Sequence, residues 1–346
     1  MLAAYAIAAG GDQPLDNLEV GEREQPRPAS GQVRLRVRAA SLNRHDLWTL
    51  AGVGTPPRFP WTLGCDVAGT VDEYGAGTDD RLSQGAQVVA HSVVTCGACP
   101  ACLGPDETSC RQFAMLSEPP WEGTFAEFCL VPAANLFPLP PKLAFEQAAC
   151  LPTAYLTAYR MLFTKARLTP GSTVLIQGAG GGLATAALLL AKASGLRAIV
   201  SGRDPAKRAA ALERGAELAV PPGREAVAGA MELTQGVGVD AVIESVGEAT
   251  WATSLRALRR GGAVVVAGAT TGADPPADLR RVFWRQLQIL GSTMGTRAEF
   301  QNLLSLVGAS GLRPLVEQTY PLAQAHAALA RLAAGDVTGK LVLVSA

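Results

Sequence analysis

Residues 172–195, STVLIQGAGGGLATAALLLAKASG, decide the fold. A β-branched run over 173–176 leads into five residues, 178–182, of which four are glycine, and an alanine- and leucine-rich segment without breakers follows. That order predicts a strand, a tight turn and a helix. Glycines there permit positive φ and close approach of a ligand, while the free N–H groups and dipole at the helix start attract an anion. A dinucleotide pyrophosphate is the natural guest, with Gly178, Gly180, Gly181, Gly182, Leu183 and Ala184 forming the cradle. A glycine-rich string is weak evidence alone, so its flanks must decide.

Downstream, strands and helices alternate. Strands are expected over 198–201, 218–220, 240–244, 263–267 and 288–291, with helices near 205–214, 224–233 and 249–258. Such a succession predicts a parallel sheet with crossover helices, which places the glycine turn at the carboxyl end of its first strand, where open α/β sheets bind ligands. From about 296 onward the chain reads as helical and ends in a strand-like KLVLVSA. Upstream, residues 1–132 read as mainly β. QVRLRVRAA over 32–40 alternates Val33, Leu35, Val37 and Ala39 against Arg34, Arg36 and Arg38, a pattern expected to leave the arginines on a solvated face. Apolar runs at 62–71, 86–90 and 125–131, separated by Gly, Pro and Asp, predict a compact β domain. PLPPK at 138–142 punctuates the chain, so the expected domains are 1–132 with 297–346, and 133–296.

The 346 residues suit two domains, 48% of them are hydrophobic, and 30 basic residues balance 30 acidic ones. Zero net charge argues against nucleic acid or an anionic membrane surface as partner. There is no apolar run of about eighteen residues to span a bilayer. The apolar N-terminus MLAAYAIAAGGD lacks the basic start of a signal peptide and predicts a first strand. With seven cysteines, the expectation is a cytoplasmic protein whose clustered thiols bind metal.

Cys96, Cys99, Cys102 and Cys110 form C-x2-C-x2-C-x7-C. Four thiolates on one short loop satisfy tetrahedral zinc and leave no open position, which predicts a structural zinc. After the second parallel strand come Ser201, Gly202, Arg203 and Asp204, then Lys207 and Arg208. Gly202 stands where an NAD site would have an acid for the ribose, and Arg203 can fork onto a phosphate, so NADP(H) is expected. The bland alternative leaves Arg203 solvated, with Asp204 capping the next helix and Pro205 at its first position.

Together these features resemble the medium-chain dehydrogenase/reductase superfamily, and more closely its zinc-type alcohol dehydrogenase and quinone oxidoreductase branch. The likeness runs through SLNRHDLW at 41–48, LGCDVAGTV at 63–71, LPTAYLTAYRML at 151–162, GATTG at 268–272 and FWRQLQILGSTMGT at 283–296. It implies an α/β fold, a Rossmann doubly wound parallel sheet domain plus a GroES-like β domain carrying the zinc lobe. Gly178, Gly181 and Ala184 match the quinone reductase form G-x2-G-x2-G/A. By resemblance, Ser245, Gly247, Gly268, Ala269 and Thr270 border the nicotinamide, Lys340 approaches the cofactor phosphates, and a homodimer pairs edge strands near 288–293.

The resemblance also exposes a departure. Zinc alcohol dehydrogenases carry Cys, His and Glu where this chain has Asn43, Cys65 and Asp66, and their third metal ligand falls at Thr153. Catalytic zinc needs three protein ligands and an open position, so none is expected. Without it, hydride transfer from NADPH to a quinone or an α,β-unsaturated carbonyl suits the chain better than alcohol oxidation. His45, Asn43 and Trp48 are the catalytic candidates: His45 as proton donor, Asn43 bonding a carbonyl or the ribose, Trp48 lining the pocket. Two alternatives stand beside this one. A rearranged metal site built from Cys65, Asp66, Cys150 and His45 would give an alcohol dehydrogenase or aldehyde reductase, and a protein that binds NADPH without turnover would belong to another class.

Overall fold

The computed structural model describes residues 1–53 and 58–345, which divide into two compact units, Met1–Ala154 with Gly295–Ala346, and Tyr155–Met294. In the first unit the alternating segment forms the strand Gln32–Ser41, whose apolar residues are buried in register while Arg36 and Arg38 face outward. Arg34 is more engaged than a solvated residue, since its Nε donates to Asp72 Oδ2 at 2.6 Å. This strand is the spine of a seven-stranded sheet, with Val67–Tyr74 along one edge and, on the other, Phe128–Pro132 beside its first half and Lys340–Val344 beside its last residues. Val33, Leu35, Val67, Phe125, Leu329 and Leu341 lie in its core.

The last strand pairs antiparallel with Gln32–Ser41 and parallel with Val316–Pro321, joined to the latter through the helix Ala325–Ala334. Val316–Pro321 gives no strand signal in the sequence because four of its six residues are exposed and show no alternation. The helix Arg297–Ser310 begins as expected, with Thr296 and Glu299 forming a capping box.

The second unit is a six-stranded, all-parallel sheet in the order Leu218–Val220, Arg197–Ser201, Thr173–Gln177, Val239–Glu244, Leu258–Val266, Gln288–Gly291. Its central strands are buried on both faces, as parallel strands covered by helices must be. The order reverses between Thr173–Gln177 and Val239–Glu244, so the carboxyl ends of those strands, Gln177 and Glu244, flank the switch point at which such sheets bind ligands. This strand order is that of a doubly wound Rossmann sheet, as expected.

The domain boundary differs from the expected one. Residues 133–154 belong to the first unit, because Leu136–Pro138 adds a strand to Gln87–Ala90 and Leu143, Ala148, Cys150 and Leu151 are buried. PLPPK is therefore an internal turn of that unit. No helix among the described residues is long and apolar enough to cross a membrane.

Candidate functional site

In the second unit the glycine turn is bent as the sequence requires. Gly178 has φ of 99°, which a side chain would oppose, and its N–H donates to Ser201 O at 2.9 Å. Gly181 caps the helix Gly182–Ala193, whose first N–H groups have no intrahelical partners and point toward an incoming anion. Next to the turn, Gly202 packs so tightly that a Cβ there would fall inside the van der Waals envelope of Ala179 Cβ. Asp204 caps the helix Pro205–Glu213, accepting from Ala206 N at 2.8 Å. Arg208 Nη1 donates to the carbonyls of Gly202 (2.7 Å) and Arg203 (2.9 Å), and the Arg203 side chain is exposed.

Beneath these turns runs a buried polar chain that no sequence motif announces. Ser201 Oγ donates to Gln177 Oε1, Gln177 Nε2 to Ser254 Oγ at 3.0 Å, and Ser254 Oγ to Glu244 Oε2 at 2.6 Å. Glu244 Oε1 also accepts from Val246 N (2.8 Å), Gly247 N (3.1 Å) and Thr250 Oγ1 (2.9 Å). The turn over 245–247 is laced to 269–272 by Thr271 N to Val246 O at 2.8 Å and Glu248 N to Gly272 O at 3.1 Å. Gly178, Gly180–Ala184, Ser201–Arg203, Ser245, Gly247 and Gly268–Thr270 thus follow the carboxyl ends of four adjacent parallel strands, with Lys207 on the helix after Asp204.

Lys340 lies in the first unit. It opens the strand that pairs with Gln32–Ser41, so its stem is buried and its Nζ donates to Leu42 O and, at 2.6 Å, to Asn43 Oδ1. The amide of Asn43 is thereby oriented: Nδ2 turns away from the lysine and donates to Asp66 Oδ2 at 2.8 Å.

Asp66 is the hub of this cluster and is fully buried. Its Oδ2 also accepts from Ser41 Oγ (2.7 Å), and its Oδ1 from Ser92 Oγ (2.8 Å) and Thr153 Oγ1 (2.6 Å). Four donors and the ammonium of Lys340, 4.0 Å from Oδ2, surround it. Cys65 Sγ lies 3.6 Å from Asn43 Nδ2 and 3.6 Å from Thr153 Oγ1. Since the Thr153 hydroxyl hydrogen is committed to Asp66, the Cys65 S–H donates to Thr153. Burial, with Asp66 and Asp46 adding to it, pushes the thiol well above its ordinary value.

Asn43 and Asp46 form a capping box at the start of the helix Arg44–Leu50, Asn43 N donating to Asp46 Oδ2 at 2.7 Å. Burial pushes the Asp46 carboxyl up to about 7. His45 is half-buried, with Nε2 3.8 Å from Glu118 Oε1; burial pulls its imidazole below the ordinary value and so favours the neutral ring. Trp48 on the same helix is 46% exposed.

A zinc ion fits the cysteine lobe and does not fit the Asp66 cluster. The four sulfurs of Cys96, Cys99, Cys102 and Cys110 lie within 4.8 Å of one another, compared with the roughly 3.8 Å separation that tetrahedral zinc–thiolate bonds impose. Backbone N–H groups at Ala98 and Cys99 pull the Cys96 thiol down to about 6, toward the thiolate that zinc requires. Among the described residues no other set of three or more His, Cys, Asp and Glu converges in this way. Around Asp66, both carboxylate oxygens are filled and the one thiol is held protonated. Nor do the residues of the alternative site gather, since Cys150 donates to Glu146 O at 3.2 Å, with burial pushing its thiol up to about 12, while His45 faces Glu118.

Residues 29–141 match the alcohol dehydrogenase GroES-like domain family, and residues 182–309 match the zinc-binding dehydrogenase family. The chain is 31% identical over 332 residues to an alcohol dehydrogenase of Geobacillus stearothermophilus, covering 94% of this chain and 96% of that one. It is 30% identical over 331 residues to acryloyl-coenzyme A reductase of Metallosphaera sedula, with the same coverages. The quinone oxidoreductase of Mus musculus is 28% identical, with 92% and 91% covered. Among solved structures, an NAD-dependent alcohol dehydrogenase superposes with a TM-score of 0.94 at 35% identity, covering both chains completely.

Proposed function

We propose, from the premise that this chain belongs to the medium-chain dehydrogenase/reductase superfamily and is an oxidoreductase, that it reduces an α,β-unsaturated carbonyl compound or a quinone with NADPH and without catalytic zinc. The observation that carries this reading is the Asp66 cluster. At the positions where zinc alcohol dehydrogenases bind their metal, hydroxyl, amide and ammonium donors already occupy the carboxylate. An alcohol needs a Lewis acid to hold its alkoxide as hydride departs, whereas an activated alkene spreads the developing charge over an enolate that hydrogen bonds can stabilise.

Bound NADPH would supply hydride for the β-carbon and be left as NADP+, the α-carbon taking a proton. The chain's own contribution is to bind and orient. The helix Gly182–Ala193 would hold the pyrophosphate, Arg203 the 2′-phosphate, and the turns at 245–247 and 268–270 the nicotinamide half. Gly202 in place of an acid supports NADPH, whereas the exposed Arg203 and the capping Asp204 are equally what a merely solvated loop would show. Acryloyl-coenzyme A reductase and quinone oxidoreductase among the relatives support the acceptor class. In this reading His45 relays the proton, taking one from solvent at its neutral ring as it passes one on, with Asn43 as a fixed polar group and Trp48 as a wall. The zinc of residues 96–110 is structural.

The protein is a homodimer in this reading, joined at the sheet edge Gln288–Gly291. That edge lies near an unusually apolar surface helix, Leu279–Arg285, on which Leu279, Phe283 and Trp284 are about 70% exposed. Sedimentation equilibrium gives twice the mass of the chain if this holds.

The decisive assay follows NADPH oxidation against enoyl thioesters, enones, quinones and aldehydes, with zinc measured on the same preparation. Turnover of the unsaturated acceptors at one zinc per chain is expected. Alcohol–aldehyde interconversion with two zincs would overturn the reading, and tight NADPH binding without turnover of any acceptor would point to a non-catalytic binder. Replacing Arg203 by Ala should raise KM for NADPH about 10- to 100-fold and leave KM for NADH unchanged, as expected for a lost charged hydrogen bond.

A further inference from the structure

We propose that the ammonium of Lys340 takes the place of a second metal ion, serving as the built-in cation of the Asp66 cluster and excluding a divalent ion from it. This rests on the metal-free reading of the reaction and adds the group responsible. Lys340 Nζ is buried, donates to Leu42 O and Asn43 Oδ1, and lies 4.0 Å from Asp66 Oδ2. A buried ammonium is stable only where acceptors and a counter-charge meet it. Here two carbonyl-type oxygens and one carboxylate do so, and one lysine charge balances one aspartate charge.

The direction of every hydrogen bond in the cluster follows from that balance. Lysine can only donate, so Asn43 must present Oδ1 to it and Nδ2 to Asp66. Asp66 then receives Ser41, Ser92 and Thr153 as donors, and Thr153, with its hydrogen spent, accepts from the Cys65 thiol. A metal at Asp66 and Cys65 would have to expel a proton from Cys65, turn the hydroxyl groups away, and lie beside a like charge that the low-dielectric interior does not screen. Lys340 is thus a positioning residue for Asn43 as well as the counter-ion of Asp66.

Cobalt exchange tests the assignment, because cobalt reports its ligands by colour independently of turnover. Wild-type protein should take up one cobalt per chain, with a thiolate-to-cobalt charge-transfer band that Cys65→Ser leaves unchanged. Lys340→Met, which keeps the stem and deletes the charge, should take up a second cobalt with added charge-transfer intensity that Lys340→Met/Cys65→Ser lacks, while Lys340→Arg should remain at one. A folded Lys340→Met that stops at one cobalt would overturn the proposal and leave the metal-free reading standing, whereas a wild type with two, one of them sensitive to Cys65→Ser, would overturn both. Should Lys340→Met fail to fold, Asn43→Cys decides: it adds a thiol ligand but retains the ammonium, so it should still bind one cobalt, and a second would sink the proposal.

Discussion

The cysteine lobe and the Asp66 cluster belong to the same unit and both bring together side chains of the kind that ligate metals, yet they are prepared for opposite outcomes. In the lobe, sulfurs face sulfurs, and their neighbours are backbone N–H groups such as Cys99 N, 3.4 Å from Cys96 Sγ. Those donors favour thiolates and leave further lone pairs for an ion. Around Asp66 the lone pairs are filled by hydroxyl, amide and ammonium hydrogens that belong to the protein. Residue type alone therefore does not make a metal site. What matters is whether the donors' own hydrogens can leave and whether a positive charge is already present.

The contrast can be broken first at the lobe. Cys99→Ser should reduce zinc from one per chain to none and lower the thermal midpoint by on the order of 10 °C, since metal binding energy is folding energy for a loop with few apolar contacts of its own. Metal analysis and calorimetry check this; a variant with full zinc and an unchanged midpoint would remove the lobe's structural role.

Asp66→Asn comes next. It presents an amide N–H to donors that have nowhere else to turn and leaves Lys340 without its counter-ion, a loss of about 3–5 kcal/mol by analogy with other broken buried pairs. Urea unfolding measures it, with zinc content expected to stay at one.

The third effect depends on pH. The Asp46 carboxyl is pushed up to about 7 from an ordinary value of 3.8, so the folded state holds its proton through a range in which the unfolded state has lost it. Stability then falls as pH rises between about 4 and 7, by about 2–4 kcal/mol, since each tenfold difference in proton affinity between the two states is worth about 1.4 kcal/mol. His91 works in the opposite direction, because burial pulls it down to about 4 and stability is lost as pH falls through the same window. The quantity to measure is therefore the difference between wild type and Asp46→Asn, which keeps the acceptor for Asn43 N and lacks the titration. Parallel stability curves for the two proteins would show that Asp46 carries no such penalty.

What was legible in the sequence was local. Cys96 to Cys110 and Gly178 to Ala184 each lie within one loop or turn, so spacing alone brings their atoms together. The parallel sheet was legible because its strands are short apolar runs separated by helices of ordinary length. The helix Leu279–Arg285 escaped notice because it is only seven residues long, too short for its apolar positions Leu279, Val282 and Phe283 to show a period, and none of them is buried. The Asp66 cluster escaped for another reason: Ser41, Asp66, Ser92, Thr153 and Lys340 come from five separate segments, and Lys340 is 297 positions from the Asn43 it orients. No spacing rule spans that distance. Asn43, Cys65 and Thr153 told us which metal ligands were missing, and only the fold could bring in the lysine that stands beside them.

The close packing of Gly202 on Ala179 has a consequence for anyone redesigning the cofactor preference. The obvious route toward NADH is to install an acid at 202, but the first atom of any side chain there collides with Ala179 in the neighbouring turn. Gly202→Asp alone should distort the cradle it is meant to retune. The change has to be made in pairs, with Ala179→Gly opening the room first, so the proposed preference for NADPH would be protected by shape as well as by charge.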